Sequence, residues 1–390
     1  MKERYYSLDI FRGATVAFMI LVNNQPGPTY QPLDHASWHG CTPTDLVFPF
    51  FLFAVGNALA FVMPRFEQAG TSYFLQKIIR RTLLIFLIGL FLNWSPFFRW
   101  DHNQLVPKGW TWLNNEGQLA GVRILGVLQR IALSYFFASV IVYFCKTKGA
   151  FVFSVALLLG YWVLTAILGA ATDPYSLSGY FGTAVDLKVL GAPHMYHGEG
   201  VAFDPEGLAG TLTALVQVIF GYFIGQYIQQ KGKTYEMLAN LFIAATVLVF
   251  AGFCWDLLFP INKKIWSSSY VLYSSGLAIY TLSTVIFLVE FKGVKGWWTK
   301  FFDVFGKNPL FIFVLSGFLP RVLALVRIQN GFDKEAKPVY TSPFGWLYEH
   351  VCKPIATDLR IGSLFYALLL IAFYWLIVYI LDKKKIYIKV

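Results

Sequence analysis

The chain has 390 residues, of which 57% are hydrophobic and 18% aromatic, while only 14% carry charge. A soluble domain of this length has no use for so much apolar surface, so the composition specifies a polytopic membrane protein and excludes a soluble enzyme. The formal charge of +11 comes with no basic arm or RNA-binding signature, which sets nucleic acid aside as a partner; basic loops on one membrane face account for it instead.

Ten apolar segments are expected to span, at roughly 7–24, 43–63, 74–93, 122–144, 150–171, 207–229, 237–259, 269–290, 301–325 and 363–382. The predicted fold is therefore all-α: one integral-membrane helical bundle over residues 1–390, with about ten transmembrane helices. Short links hold Arg65, Lys77, Arg80, Arg81, Lys146, Lys148, Lys231, Lys233, Lys292, Lys295 and Lys300. The tails hold Lys2, Arg4, Lys383, Lys384, Lys385 and Lys389. Basic residues in short loops stay on the cytoplasmic side, so both termini are expected there. The opposite links, 25–42, 94–121, 172–206, 260–268 and 326–362, are longer and carry most of the Trp, His, Pro and Gly. Elaborated loops on one face usually hold the function. The 94–121 link, with Trp94, Trp100, Trp110 and Trp112, reads partly as an interfacial aromatic belt.

The first of these outward links, Asn23 to Gly40, organises the reading. It is polar, bears Pro and Gly, and lies between the apolar runs Phe11–Val22 and Leu46–Met63. Its backbone amides would have no partners in lipid, so it lies at a surface or lines a cavity walled by protein. The first run gives about 18 Å of helix against roughly 30 Å of hydrocarbon, which places His35 near a pocket mouth. An imidazole there can act as general base or nucleophile, and the Asn23 amide can donate to a developing oxyanion. His39 is a second candidate. Thr42-Pro43-Thr44-Asp45 spells a helix start, with Thr42 as cap, Pro43 first in the helix and Asp45 three residues after the cap. Capping explains Asp45 fully; orienting His35 is a second role open to it. Phe203-Asp204-Pro205-Glu206 repeats the device, with Asp204 as cap and Glu206 beside it, and both acids could also meet a polar acceptor.

Charges inside spans come next. Arg123 and Arg130 are seven apart and expected on one helix face, with Arg130 about 12 Å below the outer boundary. Either a structural pair with a carboxylate or a phosphate clamp would explain them. Asp9 with Arg12, and Asp303 with Lys307, have the spacing of ion pairs within a helix. Gly306-Lys307-Asn308-Pro309 interrupts the ninth span, and broken spans often bind ligands. Asn262-Lys263-Lys264 puts two lysines on the outward side, against the charge trend, which calls for an anionic partner or carboxylate contacts. Gly221 and Gly225 fit close helix packing. The cysteines, Cys41, Cys145, Cys254 and Cys352, are far apart with no CxxC, so neither zinc nor a disulfide framework is expected, and Cys145 and Cys254 read as core. No cleavable signal pattern is present, and P-loop, GxGxxG, HExxH and GxSxG motifs are absent.

Several of these motifs together resemble one family. Ser7-Leu8-Asp9-Ile10-Phe11-Arg12-Gly13, Asn23, His35-Ala36-Ser37-Trp38-His39-Gly40 and Thr44-Asp45-Leu46-Val47-Phe48-Pro49 are similar to the heparan-α-glucosaminide N-acetyltransferase family of transmembrane acyltransferases. So are Gly126-Val127-Leu128-Gln129-Arg130, Phe203-Asp204-Pro205-Glu206-Gly207, Pro260-Ile261-Asn262-Lys263 and Gly306-Lys307-Asn308-Pro309, in the same order along nearly the whole chain. The resemblance implies acetyl transfer from cytosolic acetyl-CoA to an amine or hydroxyl of a saccharide across the membrane, with no metal. It implies a catalytic His35 with Asn23 nearby; Asp45, from the reading of the helix start, completes the expected catalytic group. Arg130, Gln129, Lys307 and Asn308 are the expected contacts to acetyl-CoA; Trp38, Asp204, Glu206, Asn262 and Lys263 are the expected contacts to the acceptor. Relative to the lysosomal enzyme the chain is expected to lack a lumenal N-terminal domain and one span, and its loop runs Asn23-Asn24-Gln25-Pro26 rather than through glycines. The expected setting is a bacterial inner membrane with a periplasmic saccharide acceptor, with a homodimer among the states left open. The competing class is a transporter or flippase for a polar or glycan-linked solute, which the interior charges and the broken ninth span would also suit.

Overall fold

In the computed structural model, residues 5–101, 103–114, 117–334 and 336–388 are described. Lys2, Arg4 and Lys389, which carry part of the expected charge bias, lie outside the described residues. The chain runs through α1 (Tyr6–Asn23), α2 (Val47–Ala69), α3 (Thr71–Trp94), α4 (Val127–Leu168), α5 (Phe181–Leu190), α6 (Leu208–Lys231), α7 (Tyr235–Asp256), α8 (Ser268–Ile286), α9 (Trp297–Lys307), α10 (Pro309–Leu323), α11 (Pro343–Leu347) and α12 (Leu359–Lys383). Among the described residues, six helices are long and apolar enough to cross a membrane, or seven if α9 and α10, bent by 77° at their junction, form one span. That bend is the expected break in the ninth span: Asn308 leaves helical geometry and Pro309 restarts it. The other expected spans depart from the test for visible reasons. Helix α1 carries Asp9 and Arg12, and α3 carries Lys77, Arg80 and Arg81.

Helix α4 covers two expected spans. It breaks at Lys146, whose φ of 56° no helix accommodates. Both of its halves return to one end of the bundle: Arg130 donates to the Gly207 carbonyl at 2.8 Å, and Tyr161 donates to that of Ile265 at 2.5 Å. The chain therefore reverses at Lys146, where the ammonium meets Glu67 at 2.9 Å.

The fold is not purely helical. Three antiparallel hairpins, β1–β2 (Phe98–Asp101 with Gln104–Pro107), β3–β4 (Thr111–Leu113 with Leu119–Gly121) and β5–β6 (Ile328–Phe332 with Pro338–Thr341), are built into the long links. Two of the tryptophans read as a belt spend their indole N–H groups there: Trp94 donates to the Lys108 carbonyl and Trp100 to that of Leu325. The five long links converge on one end. Gly40 pairs with Asn262, Trp38 reaches Tyr175, Arg123 reaches Asp204, and Gly27 bonds Ser363. The described termini lie together at the other end, where Lys307 joins Asp382 and Lys233 joins Glu290.

Glycines set how closely the central helices approach. A Cβ on Gly221 would lie 2.1 Å from the Phe53 carbonyl oxygen, and one on Gly56 would lie 1.9 Å from that of Val218, so α2 and α6 meet backbone to backbone. The cysteine expectation fails in part: Cys254 is exposed and Cys145 half-buried on the outside of the bundle, where apolar neighbours face outward rather than into a core.

Candidate functional site

Asp45 is the hinge of the site. Its carboxylate closes a capping box, accepting from the Thr42 amide and hydroxyl, each at 3.1 Å. It also accepts from the Ala36 amide at 3.1 Å and from His35 Nδ1 at 2.6 Å. The two readings of Asp45 are thus both realised, because one buried carboxylate has lone pairs for a helix start and for a ring. With Nδ1 committed to Asp45, Nε2 is the nitrogen left for chemistry. Lys263 Nζ completes the cluster, 3.4 Å from the Asp45 carboxylate and 3.2 Å from His35 Nδ1.

His35 and Asp45 line a cavity of about 220 Å³ together with Trp38, Arg123, Tyr196, Glu199, Glu206, Lys263, Lys264 and Trp266. Of the expected acceptor contacts, Trp38, Glu206 and Lys263 are on this wall. Asn262 is not. It is fully buried, and its side chain accepts from the Ile265 amide, shaping the turn that presents the lysines. Asp204 stands behind the wall, fully engaged by Arg123 through bonds of 2.6 and 3.1 Å. It does not cap α6 as expected; Asp186 accepts the Leu208 amide instead, at 2.9 Å. The Pro205 turn carries the Asp204 side chain towards Arg123, leaving that amide to an acid from α5.

The lysines expected to run against the charge trend meet carboxylates, one of the two partners foreseen for them: Lys263 with Asp45, and Lys264 with Glu199 at 2.8 Å. Arg123 Nη2 also bonds Glu206, and its guanidinium lies 4.9 Å from the Tyr196 ring. Burial lowers the affinity of Lys263 for its proton, outweighing Asp45 and Glu206, which favour the charge. Burial pushes Glu206 upward, but Arg123 and Arg130 hold its carboxyl below the usual range. Against the same desolvation, the carboxylates beside Arg123 keep it charged. Burial pushes the Cys41 thiol up to about 12, so this near neighbour carries no thiolate at neutral pH.

Asn23 lines a second cavity of about 270 Å³, with Asn24, Asn93, Gln129 and Arg321; Arg123 and Val127 are shared with the first. Further cavities follow by shared walls. One of about 140 Å³ shares Leu128 and Phe313 with the Asn23 cavity and contains Arg12 and Arg81. One of about 600 Å³, at the end of the termini, shares Arg12, Ala54 and Ala58 with it and adds Asp9, Arg65 and Gln68.

The remaining candidates fall outside this series. Helix α4 starts at Val127, so Arg123 precedes it and Arg130 sits in its first turn, not on a shared face deep in the span. Arg130 is buried against the Gly207 carbonyl and stacks 5.0 Å from the Trp266 ring, behind the His35 cavity. Lys307 is held by Asp303 at 2.7 Å and by Asp382 at 3.0 Å. Asn308 bonds the tail, donating to the Ile386 carbonyl and accepting from the Ile388 amide. Sequence reasoning missed Tyr196 and Glu199. An acid in the 172–206 link to answer Lys264 was the available signal.

No family model matches the chain. Among curated proteins it is similar to the heparan-alpha-glucosaminide N-acetyltransferase of Homo sapiens, 29% identical over 373 residues, covering 80% of this chain and 53% of that protein. The Mus musculus protein of the same name is 29% identical over 374 residues, with the same shares. The chain thus spans about half the length of the curated relatives it matches. The motifs around His35, Asp45 and Arg123 sit in a chain that is, over most of its own length, similar to the heparan-α-glucosaminide N-acetyltransferases.

Proposed function

We propose that this protein is a membrane acyltransferase that moves an acetyl group from acetyl-CoA to an amine or hydroxyl of a saccharide. The observation that carries the reading is the 2.6 Å bond between His35 and a buried carboxylate on a cavity wall, in a chain similar to N-acetyltransferases. His35 Nε2 takes the proton as the acceptor nitrogen or oxygen attacks the thioester carbonyl. The carbonyl oxygen gains charge, which the Asn23 amide at the adjoining cavity steadies. The C–S bond then breaks, and the leaving thiolate takes the proton back from the imidazolium. Asp45 holds the ring and stabilises its charged form.

The cavities that share walls suggest the donor's route. CoA is polyanionic and does not cross lipid, so its nucleotide stays at the end of the termini while the thioester arm threads towards Asn23 and His35. On this reading Arg12, Arg65 and Arg81 attract the phosphates, and Arg130, Lys307 and Asn308 serve as structure. The chain crosses the membrane ten times, counting α1, α3, both halves of α4, and α9 with α10 as spans. The terminal end faces the cytoplasm and the His35 end the periplasm of a bacterial inner membrane.

The same row of cavities also suits a transporter without chemistry, and one experiment separates the two. Purified protein in detergent is given acetyl-CoA and an amino sugar, and binding and transfer are both measured. His35→Ala should abolish transfer while leaving acetyl-CoA binding intact. Failure to bind any acyl-CoA, with saturable solute movement in liposomes, would establish the transporter instead.

A further inference from the structure

The cavity around His35 is rich in charge, and every cation on its wall is spent. Lys263 faces Asp45 at 3.4 Å, Lys264 faces Glu199 at 2.8 Å, and Arg123 is forked between Asp204 and Glu206. A wall built to bind an anionic ligand leaves guanidinium or ammonium donors uncommitted, because sulfate or carboxylate oxygens must replace their partners. Here the partners are supplied from within: three wall acids (Asp45, Glu199 and Glu206) match the three cations, so an incoming anion would have to displace a carboxylate from its cation. The chain's basic excess lies elsewhere: Arg65, Lys77, Arg80, Arg81, Lys231, Lys233, Lys384 and Lys385 belong to the opposite end. What the wall does present is the surface of Trp38 and Tyr196, suited to the apolar face of a sugar ring.

Resting on the acyltransferase reading, we propose that the acceptor is a saccharide without sulfate or carboxylate groups, and that this site discriminates against polyanionic glycans. The paired charges orient hydroxyls by hydrogen bonding, and the acids tolerate an acceptor amine in either protonation state. Glu199 is the gatekeeper of this preference. It lies on the wall, half-buried, and holds Lys264, which also donates to the Ser37 carbonyl at 2.7 Å beside His35.

The test uses the full-length protein in detergent with acetyl-CoA and three probes: glucosamine, glucosamine 6-sulfate, and a disaccharide joining glucosamine to a uronic acid. Binding is measured calorimetrically beside turnover. The expected result is tighter binding and a higher kcat/KM for glucosamine than for either anionic probe, by a factor of about ten or more, with little dependence on ionic strength. Glu199→Gln should free Lys264 and improve binding of the sulfated sugar roughly threefold to tenfold, leaving glucosamine less affected. Preference of the unmodified protein for an anionic probe, or failure of all three to bind, overturns the proposal. Selective binding of glucosamine without transfer supports this inference while refuting the reaction reading, so the two fail separately.

Discussion

Asp45 Oδ1 lies 2.6 Å from His35 Nδ1, and the other oxygen of the same carboxylate closes the first turn leading into α2. The ring is thereby held by the rigid start of a long helix, although its own loop has little regular structure. Asp45→Asn keeps an acceptor for the Thr42 amide but removes the charge that orients and stabilises the imidazolium. We expect kcat to fall by about 10²–10⁴ with KM changed little, since the loss falls on the transition state. Stability should drop by more than the about 1 kcal/mol of a weakened cap, because Lys263 and His35 also lose their buried carboxylate. A kcat within threefold of the parent would reduce Asp45 to a capping residue.

Arg123 joins the loop before α4 to the loop before α6, and both of its carboxylate partners are buried or nearly so. Arg123→Met strands them together. Breaking a buried pair by removing one partner costs about 3–5 kcal/mol, much more than an exposed pair would. Thermal unfolding in detergent should show that loss, and Arg123→Lys should recover part of it, having the charge without the fork. An unshifted melting temperature for Arg123→Met would mean that the acids find protons or other partners cheaply.

Asp186 gives a pH dependence with a definite sign. Burial, aided by Asp204 and opposed by the Leu208 amide and Arg130, raises its carboxyl to about 6. A carboxyl raised above its unfolded value binds its proton more tightly in the native state. Its contribution to stability is therefore greatest below about pH 4 and declines as pH rises to about 6. Asp186→Asn retains an acceptor for the Leu208 amide and carries no charge. It should be more stable than the parent at neutral pH, by about 1–3 kcal/mol, and flatten the melting temperature between pH 4 and 6. Equal slopes for the two proteins would show that Asp186 ionises without cost.

These residues also mark the reach of sequence reasoning. The Thr42–Asp45 box was legible because a cap is encoded within four positions. The Asp9–Arg12 and Asp303–Lys307 pairs follow from helix periodicity, and both form, at 2.9 and 2.7 Å. The break before Pro309 was legible because proline lacks a backbone donor. What joins Arg123 to Asp204, or Lys264 to Glu199, is loop closure across separate helices, which no local rule encodes. The same limit explains Arg130: a charge in an apolar run reads as deep when the start of its helix is misplaced by a few residues. The hairpins were hidden because short aromatic strands in a membrane chain look like interfacial loop.

The last prediction concerns the route between the two ends. Ala58 of α2 lines both the cavity of about 600 Å³ at the terminal end and the one of about 140 Å³ beyond it. It is half-buried, unlike its neighbours Leu59 and Ala60, so a larger side chain there enters the opening rather than a packed core. Ala58→Phe should narrow the junction without touching His35, Asp45 or Asn23. On the donor-threading reading, acetyl transfer falls at least about tenfold, the equivalent of roughly 1.4 kcal/mol. Saccharide binding at the His35 cavity stays at its parental level, and Ala58→Ser, which adds one small atom, transfers nearly normally. Acetyl-CoA affinity separates the sources of any loss: weakened binding places the arm at the junction, while unchanged binding with slow transfer places the block between nucleotide and thioester. Full activity in a folded Ala58→Phe protein would rule out this junction as the donor's path and require the thioester to enter from the His35 side.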